Sequence, residues 1–322
     1  MDRRDFVLAA ALAVVAPRRA LAATGRGRTL VLVTADLESR VLAVDAASAR
    51  VVEAIPTLAY PRSIEAAGEV AVVAHSELGA LTLVDAGSLR VAHVLEGLGE
   101  PRYTAVHPDG RHAYVTDADR GELLALDLVR GRVVGGVEVG ARARHVTIDP
   151  AGATLWVALG SKAEKVAVVD VRTPVRPRLA GRFRPSFRAH DVACAPDGRH
   201  LWVSSGDRSQ LAVYDVRSGR LLATPSGDWP PQHVTFAGST AYVTSGWSGT
   251  LRVHHASGRP LLQVTVPVGS YNVQHGVGRV VTPSLGHGTL TILDERGGTL
   301  HRERVARSSH DACLIRRGNT SR

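Results

Sequence analysis

One sequence unit repeats seven times along this chain, and this regularity limits the possible folds more than any other feature. In each unit a β-branched or aromatic cluster includes a valine, namely Val33, Val73, Val115, Val157, Val203, Val243 and Val281. Successive valines are 40, 42, 42, 46, 40 and 38 residues apart. A period of this length indicates a repeat architecture in which each unit packs on its neighbours.

Each unit reads as four short strands separated by polar turns, and no long window has a helical period. A lone four-stranded sheet cannot bury both faces, whereas a ring of such sheets can. We therefore predict an all-β fold, a seven-bladed β-propeller, with residues 23–322 as a single domain. The first unit lacks an innermost strand before Leu30, and the chain ends with an unpartnered one at 310–315. The C-terminal strand should complete the N-terminal blade and so remove exposed edges.

The motifs within the units resemble those of a known family. They are the Tyr-Val-Thr clusters, the apolar runs that end in Asp, and the Pro-Asp-Gly turns at 108–110 and 196–198. Over about residues 28–316 the chain resembles the YVTN-repeat family of bacterial exported, YncE-like seven-bladed propellers. The resemblance implies the fold but no single activity, because that family covers exported binding proteins and proteins that accompany cofactor enzymes. Its relatives include lactonases and lyases.

Residues 1–22 have the order of an export signal. Arg3 and Arg4 precede Phe6 and Leu8, an Ala/Val/Leu run follows, and the small-x-small triplet at 20–22 can serve as a cleavage site. The Arg-Arg-x-Phe-x-Leu order resembles the twin-arginine signal, and an ordinary Sec signal is the alternative. No other apolar run approaches membrane-spanning length. We expect a periplasmic or secreted protein without a membrane span.

Two sets of repeated residues are expected to be structural. Twelve or thirteen residues after each valine comes an acid in six units, at Asp45, Asp85, Asp127, Asp170, Asp215 and Asp294, and His255 in the other. Aspartate at a strand end accepts hydrogen bonds from turn amides. The large aromatics of the second strands should pack between blades, namely Tyr114, Trp156, Trp202 and Tyr242.

Histidines gather on one predicted rim of the central channel. In a propeller the loops that enter the innermost strands share a rim with the loops between the second and third strands. Six of the fourteen histidines fall there, and they are the candidate metal ligands: His145, His190, His233, His310, His75 and His287. A His-Asp dipeptide occurs at the same point of two inner strands, at 190–191 and 310–311. The aspartates could orient metal-bound imidazoles by accepting a hydrogen bond from the ring nitrogen that does not bind the metal. Neutral imidazole is a common ligand of zinc, copper and nickel.

Other rim residues suit an organic ligand. The candidate ligand-binding residues are Arg62, Arg102, Tyr103, Asn272 and Trp247. Arg62 and Arg102 would face an anionic group. The sequence does not identify a cofactor, and the possibilities are none, a transition metal, or a haem-type or quinone cofactor.

Three functions remain open from the sequence. The first is an exported binding or accessory protein that holds a small ligand, metal or redox cofactor at the His-rich rim. The second is a lactonase-like hydrolase or a lyase that uses the same rim, and the third is a protein-interaction scaffold. Partners are a small molecule or a protein of the export compartment, and the protein is expected to be a monomer. The net charge of +9 reflects a chain with many arginines and two lysines, so it does not indicate nucleic acid.

Overall fold

Twenty-eight strands in seven four-stranded antiparallel sheets form the fold of residues 27–317, the part of the chain that this computed structural model describes. The signal expected at residues 1–22 lies outside the described residues. A 3₁₀ turn at Ser76–Leu78 is the only helical element that the described residues contain. None of them belongs to a helix that is long and apolar enough to cross a membrane.

The blades are named here in ring order, with strands given from the channel outward. Blade 1 contains β28 (Ala312–Arg317), β1 (Arg28–Ala35), β2 (Arg40–Asp45) and β3 (Val51–Pro56). Blade 2 contains β4 (Ser63–Ala67), β5 (Val70–His75), β6 (Ala80–Asp85) and β7 (Arg90–Leu95). Blade 3 contains β8 (Pro101–Val106), β9 (His112–Asp117), β10 (Glu122–Asp127) and β11 (Arg132–Glu138). Blade 4 contains β12 (Val146–Ile148), β13 (Thr154–Ala158), β14 (Val166–Asp170) and β15 (Arg178–Phe183).

The remaining three blades follow the same order. Blade 5 contains β16 (Ala189–Cys194), β17 (His200–Ser205), β18 (Leu211–Asp215) and β19 (Leu221–Ala223). Blade 6 contains β20 (Val234–Ala237), β21 (Thr240–Ser245), β22 (Thr250–His255) and β23 (Pro260–Thr265). Blade 7 contains β24 (Gln274–Gly276), β25 (Arg279–Pro283), β26 (Thr289–Leu293) and β27 (Thr299–Arg304).

The C-terminal strand closes the ring, as the sequence predicts. β28 pairs antiparallel with β1, with Leu32 opposite Cys313 and Leu30 opposite Ile315. β28 also contacts the inner strands on both sides, β24 of blade 7 and β4 of blade 2. The two ends of the described chain are therefore joined in one sheet.

The hydrophobic core consists of seven clusters, one between each pair of neighbouring blades. The cluster between blades 3 and 4 places Tyr114 against Leu155 and Val157. Trp202, which is fully buried, occupies the equivalent place between blades 5 and 6 and donates from Nε1 to the carbonyl of Ala256, 2.9 Å away. The expected packing role of the four aromatic residues is confirmed.

The repeated strand-end aspartates cap turns. The Oδ1 atom of Asp45 accepts from the amide of Ser48 at 2.9 Å, and that of Asp215 accepts from the amide of Ser218 at 2.7 Å. The other four accept comparable turn amides. In the sixth unit Nδ1 of His255 takes the same place and accepts from an amide two residues later. The regular spacing of these acids is a consequence of turn geometry.

A bulge marks the outermost strand pair of every blade. The register shifts once between the third and fourth strand in all seven sheets. A bulge increases local twist and disturbs the row of backbone groups that an edge strand offers to another chain. The outer edges of the ring are therefore poor templates for association.

Ring closure predicts a measurable cost for a small change in the last strand. Ile315 is 2% exposed and packs between blades 1 and 2. Ile315→Ala should lower the free energy of unfolding by about 2–5 kcal/mol, because it leaves a cavity in the interface that closes the ring. Urea unfolding followed by tryptophan fluorescence measures this. The matched control is Leu300→Ala on outer strand β27, where the side chain is 43% exposed, and equal effects of the two changes would contradict the closing role of β28.

Candidate functional site

Three histidines stand where three adjacent inner strands begin. His145 directly precedes β12, His190 is the second residue of β16, and His233 directly precedes β20. These strands belong to blades 4, 5 and 6, and neighbouring inner strands contact each other around the channel. The three side chains therefore start from the same rim, as the sequence predicts.

Hydroxyl groups of the second strands hold this rim in place. The Oγ1 atom of Thr116 donates to the carbonyl of Arg144, 2.6 Å away, and Oγ of Ser204 donates to the carbonyl of Gln232 at the same distance. These carbonyls belong to the residues just before His145 and His233. Both hydroxyls directly follow the repeated valines, so the motif that builds the blade also anchors the start of the next inner strand.

The three imidazoles converge on one point. One nitrogen of each of His145, His190 and His233 lies within 4.8 Å of the corresponding nitrogens of the other two. The ring centroid of His145 is 4.6 Å from that of His190 and 4.7 Å from that of His233. Tyr103 covers one side of the group, because its ring stacks on His145 with centroids 4.3 Å apart.

The free nitrogens of this group suit a metal ion. His145 is 1% exposed, and neither of its ring nitrogens has a hydrogen-bond partner among residues 27–317. Nδ1 of His190 lies 3.2 Å from the carbonyl of Ser161, which can only accept, so Nδ1 carries the proton and Nε2 the lone pair. Imidazoles bound to one ion at about 2.0–2.1 Å have nitrogens about 3.3 Å apart, so small ring rotations would bring the three nitrogens to coordinating distance.

Burial keeps these imidazoles neutral. Desolvation holds the pKa of His145 well below its usual range, and the charge of Arg144 or a proton on His190 or His233 lowers it further. Burial and the Arg144 charge lower the pKa of His190 to about 4. Burial holds the pKa of His233 well below its usual range, and the charge of Arg144 or a proton on His190 or His310 lowers it further. Neutral imidazoles present the lone pairs that a metal requires.

The aspartates of the two His-Asp dipeptides join neighbouring blades. One carboxylate oxygen of Asp191 accepts from the amide of Val192 and the other from the amide of Val234 in the next inner strand, at 2.8 and 3.0 Å. Asp311 does the same with Ala312 and Ile64. Neither aspartate bonds to the histidine beside it, although Oδ2 of Asp191 lies 3.7 Å from Nδ1 of His233.

His310 lies on the same rim but in a different environment. Its Nδ1 donates to the carbonyl of Arg62, 2.9 Å away, and the side-chain amide of Asn272 donates to its carbonyl at 2.8 Å. Asn272 thus fixes His310 in place. Arg62 directs its guanidinium toward Asp36, with 3.7 Å between Nη1 and Oδ2. Asn272, His310 and Arg62 form a second polar group, over blades 7, 1 and 2.

The other candidate residues are separate from the triad of His145, His190 and His233. His75 is fully buried, and both its ring nitrogens are engaged, with the carbonyl of Ala59 and with Oγ1 of Thr82 at 2.9 Å each. His287 is exposed in the loop between β25 and β26. Trp247 is 66% exposed and packs edge-on against Tyr271 at 6.2 Å. The structure therefore brings together three of the six candidate histidines.

Two cavities flank Arg102 at the rim. One of about 460 Å³ lies mainly over blades 1–3, with Leu285 of blade 7 at its edge, and includes Arg62. The other, of about 490 Å³, extends over blades 3–5 and includes Arg144 and Ser161. The sequence analysis did not single out Arg144. Its position just before His145 was the available signal, but the many arginines of the chain hid it.

A third, smaller cavity of about 130 Å³ continues inward from the triad and is lined by His145, His233, Tyr103, Asp191 and Glu65 among others. Glu65 is a further residue that sequence reasoning missed. Its Oε2 accepts from the side-chain amide of Gln274 at 2.8 Å, and burial raises its pKa to about 7. Burial also raises the pKa of Asp191 to about 7, so this cavity contains two carboxyl groups that gain or lose protons near neutral pH.

Comparisons with known proteins establish the fold and no family. No protein-family model matches the chain, and no curated protein matches it significantly. Solved structures do match. A functionally unknown protein from Desulfotomaculum acetoxidans aligns with a TM-score of 0.76 at 12% identity, over 89% of this chain and 99% of that one. The YVTN resemblance of the sequence is thus supported at the level of the propeller fold.

Two similar structures belong to proteins of named function. Hydrazine synthase of Kuenenia stuttgartiensis aligns with a TM-score of 0.63 at 18% identity, over 79% of this chain and 89% of that one. Dihydro-heme d1 dehydrogenase NirN in complex with DHE aligns with a TM-score of 0.61 at 20% identity, over 86% of this chain. The alignment spans 64% of NirN. At these identities the likeness is one of fold.

Glu65 predicts a specific dependence of stability on pH. Its pKa rises from 4.5 in the unfolded chain to about 7 in the folded protein, so between these values the folded state binds the extra proton. Stability should therefore fall as the pH rises from about 5 to 7, by at most about 3 kcal/mol for one such group. Glu65→Gln should flatten this part of the profile.

Urea unfolding at several pH values from 5 to 8 measures the effect. The control is Glu53→Gln on outer strand β3, where the side chain is exposed. Parallel pH profiles for the parent and for Glu65→Gln would contradict the buried, proton-binding carboxyl.

Proposed function

We propose that this propeller is a binding or accessory protein that holds a transition-metal ion at His145, His190 and His233. The observation that carries the proposal is the convergence of three imidazoles around a buried His145 whose two nitrogens have no partner among the described residues. An unpaired buried polar atom is costly, and a bound ion would satisfy the one His145 nitrogen that carries the lone pair.

The arrangement favours metal binding over acid–base catalysis by the histidines alone. A catalytic pair needs imidazoles within hydrogen-bond reach of a carboxylate. Among the described residues, the one carboxylate within 4.0 Å of a triad imidazole is that of Asp191, which lies 3.7 Å from His233 and is already bonded to two amides. Three protein nitrogens leave an open coordination position, so a bound ion would supply Lewis-acid chemistry or electron transfer to a further ligand at the rim.

Arg102 and Tyr103 belong to the proposed ligand side of this site. Tyr103 stacks on His145 and lines the inner cavity, and Arg102 lines both rim cavities. Arg62 borders the cavity over blades 1–3. An anionic group on the ligand would be drawn to this side of the rim by the arginines.

A haem-type cofactor is the second candidate for the same opening. The observation in its favour is the combination of imidazoles with large neighbouring rim cavities of about 460 and 490 Å³. The similar propeller protein NirN was solved in complex with DHE. An imidazole of the triad would hold the iron of a tetrapyrrole, which would supply redox chemistry.

Metal analysis tests the proposal. Protein purified from its own export compartment should contain about one transition-metal ion per chain, and His145→Ala/His190→Ala/His233→Ala should remove it because no other three-ligand set exists among the described residues. Elemental analysis and an absorption spectrum measure this, and a Soret band in the parent would indicate the haem-type cofactor.

His287→Ala is the matched control, since His287 lies on the same face but outside the triad, and it should retain the metal. Circular dichroism verifies that each variant is folded. A parent protein that remains metal-free and colourless after incubation with zinc, copper or nickel would refute the proposal, and so would a triple variant that keeps its metal.

We also propose that residues 1–22 direct export through the twin-arginine route. The sequence order of Arg3, Arg4, Phe6 and Leu8 supports it. Arg3→Lys/Arg4→Lys should leave the precursor inside the cell, because the paired arginines are read by the export receptor. Cell fractionation with an antibody against the protein measures this. Normal export of that variant, with arrest when the Sec route is blocked, would point to the Sec alternative.

A further inference from the structure

The cavity of about 490 Å³ beside the triad, here called the basic pocket, has an unusual charge. Five of its lining side chains are cationic, namely Arg102, Arg142, Arg144, Lys162 and Arg188, and a single one, Glu100, is anionic. Like charges in one cavity repel each other, and they do so more strongly where water is partly excluded. A pocket with this composition favours an anion.

Nearby carboxylates neutralise only part of this positive charge. Arg102 pairs with Glu100, and Arg188 lies 3.7 Å from Glu164. Arg142, Arg144 and Lys162 have no carboxylate within 4.0 Å among residues 27–317.

Some arginines elsewhere in the described residues pair with an acid, although many do not. Arg28 bonds to Asp45 at 2.6 Å, Arg111 to Asp127 at 2.8 Å and Arg252 to Asp228 at 2.8 Å. The basic pocket differs in that five cationic side chains and a single anionic one line the same cavity.

Two of the arginines that line the pocket each have a buried donor without a partner. The Nε atoms of Arg102 and Arg144 are inaccessible to solvent and have no hydrogen-bond partner among the described residues. Leaving a buried donor of a charged group unpaired costs more than leaving a neutral one. A guanidinium presents its N–H groups as a planar fork that matches a carboxylate or a phosphate.

The basic pocket adjoins the triad. Arg144 directly precedes His145, and its charge helps to lower the pKa of His145, His190 and His233. Ser161 lines the pocket, and its carbonyl is the partner of Nδ1 of His190. A ligand seated against Arg144 would therefore lie next to the imidazole nitrogens.

We infer that the basic pocket is an oxyanion subsite, with Arg144 and Arg102 as the principal donors, for a ligand that carries at least two carboxylate or phosphate oxygens. The inference deepens the proposed function, on which its biological role rests, because it names the chemical class of the ligand that meets the metal site. Binding of the oxyanion itself depends on the arginines and not on the metal.

Isothermal titration calorimetry of the metal-free protein tests the subsite with three probes: inorganic phosphate, citrate and acetate. At low ionic strength, phosphate or citrate should bind with a dissociation constant below about 1 mM, and acetate should bind more weakly. Tighter binding of phosphate would indicate a phosphate ligand, and tighter binding of citrate would indicate a polycarboxylate. Added salt should weaken binding because exposed charges are screened.

Arg144→Gln should weaken phosphate or citrate binding by at least about tenfold, because one charged donor is lost. Arg144→Lys keeps the charge but loses the planar fork, so its effect should be intermediate. The matched control is Arg208→Gln in the loop between β17 and β18, where the side chain is exposed on the same face outside the pocket. It should change binding by less than about twofold.

His145→Ala/His190→Ala separates this inference from the metal proposal. Retained phosphate or citrate binding in that variant supports the subsite even if the parent binds no metal. A parent that takes up metal but neither polyanion overturns the subsite alone. Equal losses in Arg144→Gln and Arg208→Gln also overturn it, because the attraction would then belong to the whole face.

Discussion

Burial of apolar surface between neighbouring blades is the interaction on which every other feature of this molecule depends. A four-stranded blade has two faces to cover, and each is covered by the next blade through one of seven clusters. The arrangement is stable only as a closed ring, so β28 must return to β1. Closure also fixes the inner strands around a channel, which places seven strand starts at one rim.

The rim that carries the candidate site is held by the same hydroxyl contacts that join the blades. Thr116 and Ser204 directly follow two of the repeated valines in the sequence. Their hydroxyls donate to the carbonyls of the residues just before His145 and His233. Asp191 adds a carboxylate bridge between the inner strands of blades 5 and 6. The imidazoles therefore project from backbone that is held at several points, which is the rigidity a metal site needs.

The period of the repeat was sufficient to predict the fold, the closing strand and the roles of the strand-end aspartates, because these depend on backbone pairing and turn geometry. The selection of three histidines from six was not predictable. Register shifts lie between Pro101 and Thr104 in β8 and between Ala189 and Val192 in β16, and each changes the direction of nearby side chains. The burial of His75 was likewise not predictable, because it depends on hydrogen bonds of the ring to Thr82 and to the carbonyl of Ala59.

The two His-Asp dipeptides show how one repeated motif acquires two environments. Asp191 and Asp311 have the same role, since each carboxylate joins its own inner strand to that of the next blade. Their histidines differ because their neighbours differ. His190 stands between His145 and His233, whereas His310 stands between Asn272 and Arg62. A circular repeat can therefore keep a structural residue such as the bridging aspartate while the chemistry of the rim changes with the residues at the starts of neighbouring inner strands. Such a change brings a new side chain to the shared rim at little cost to the packing between blades.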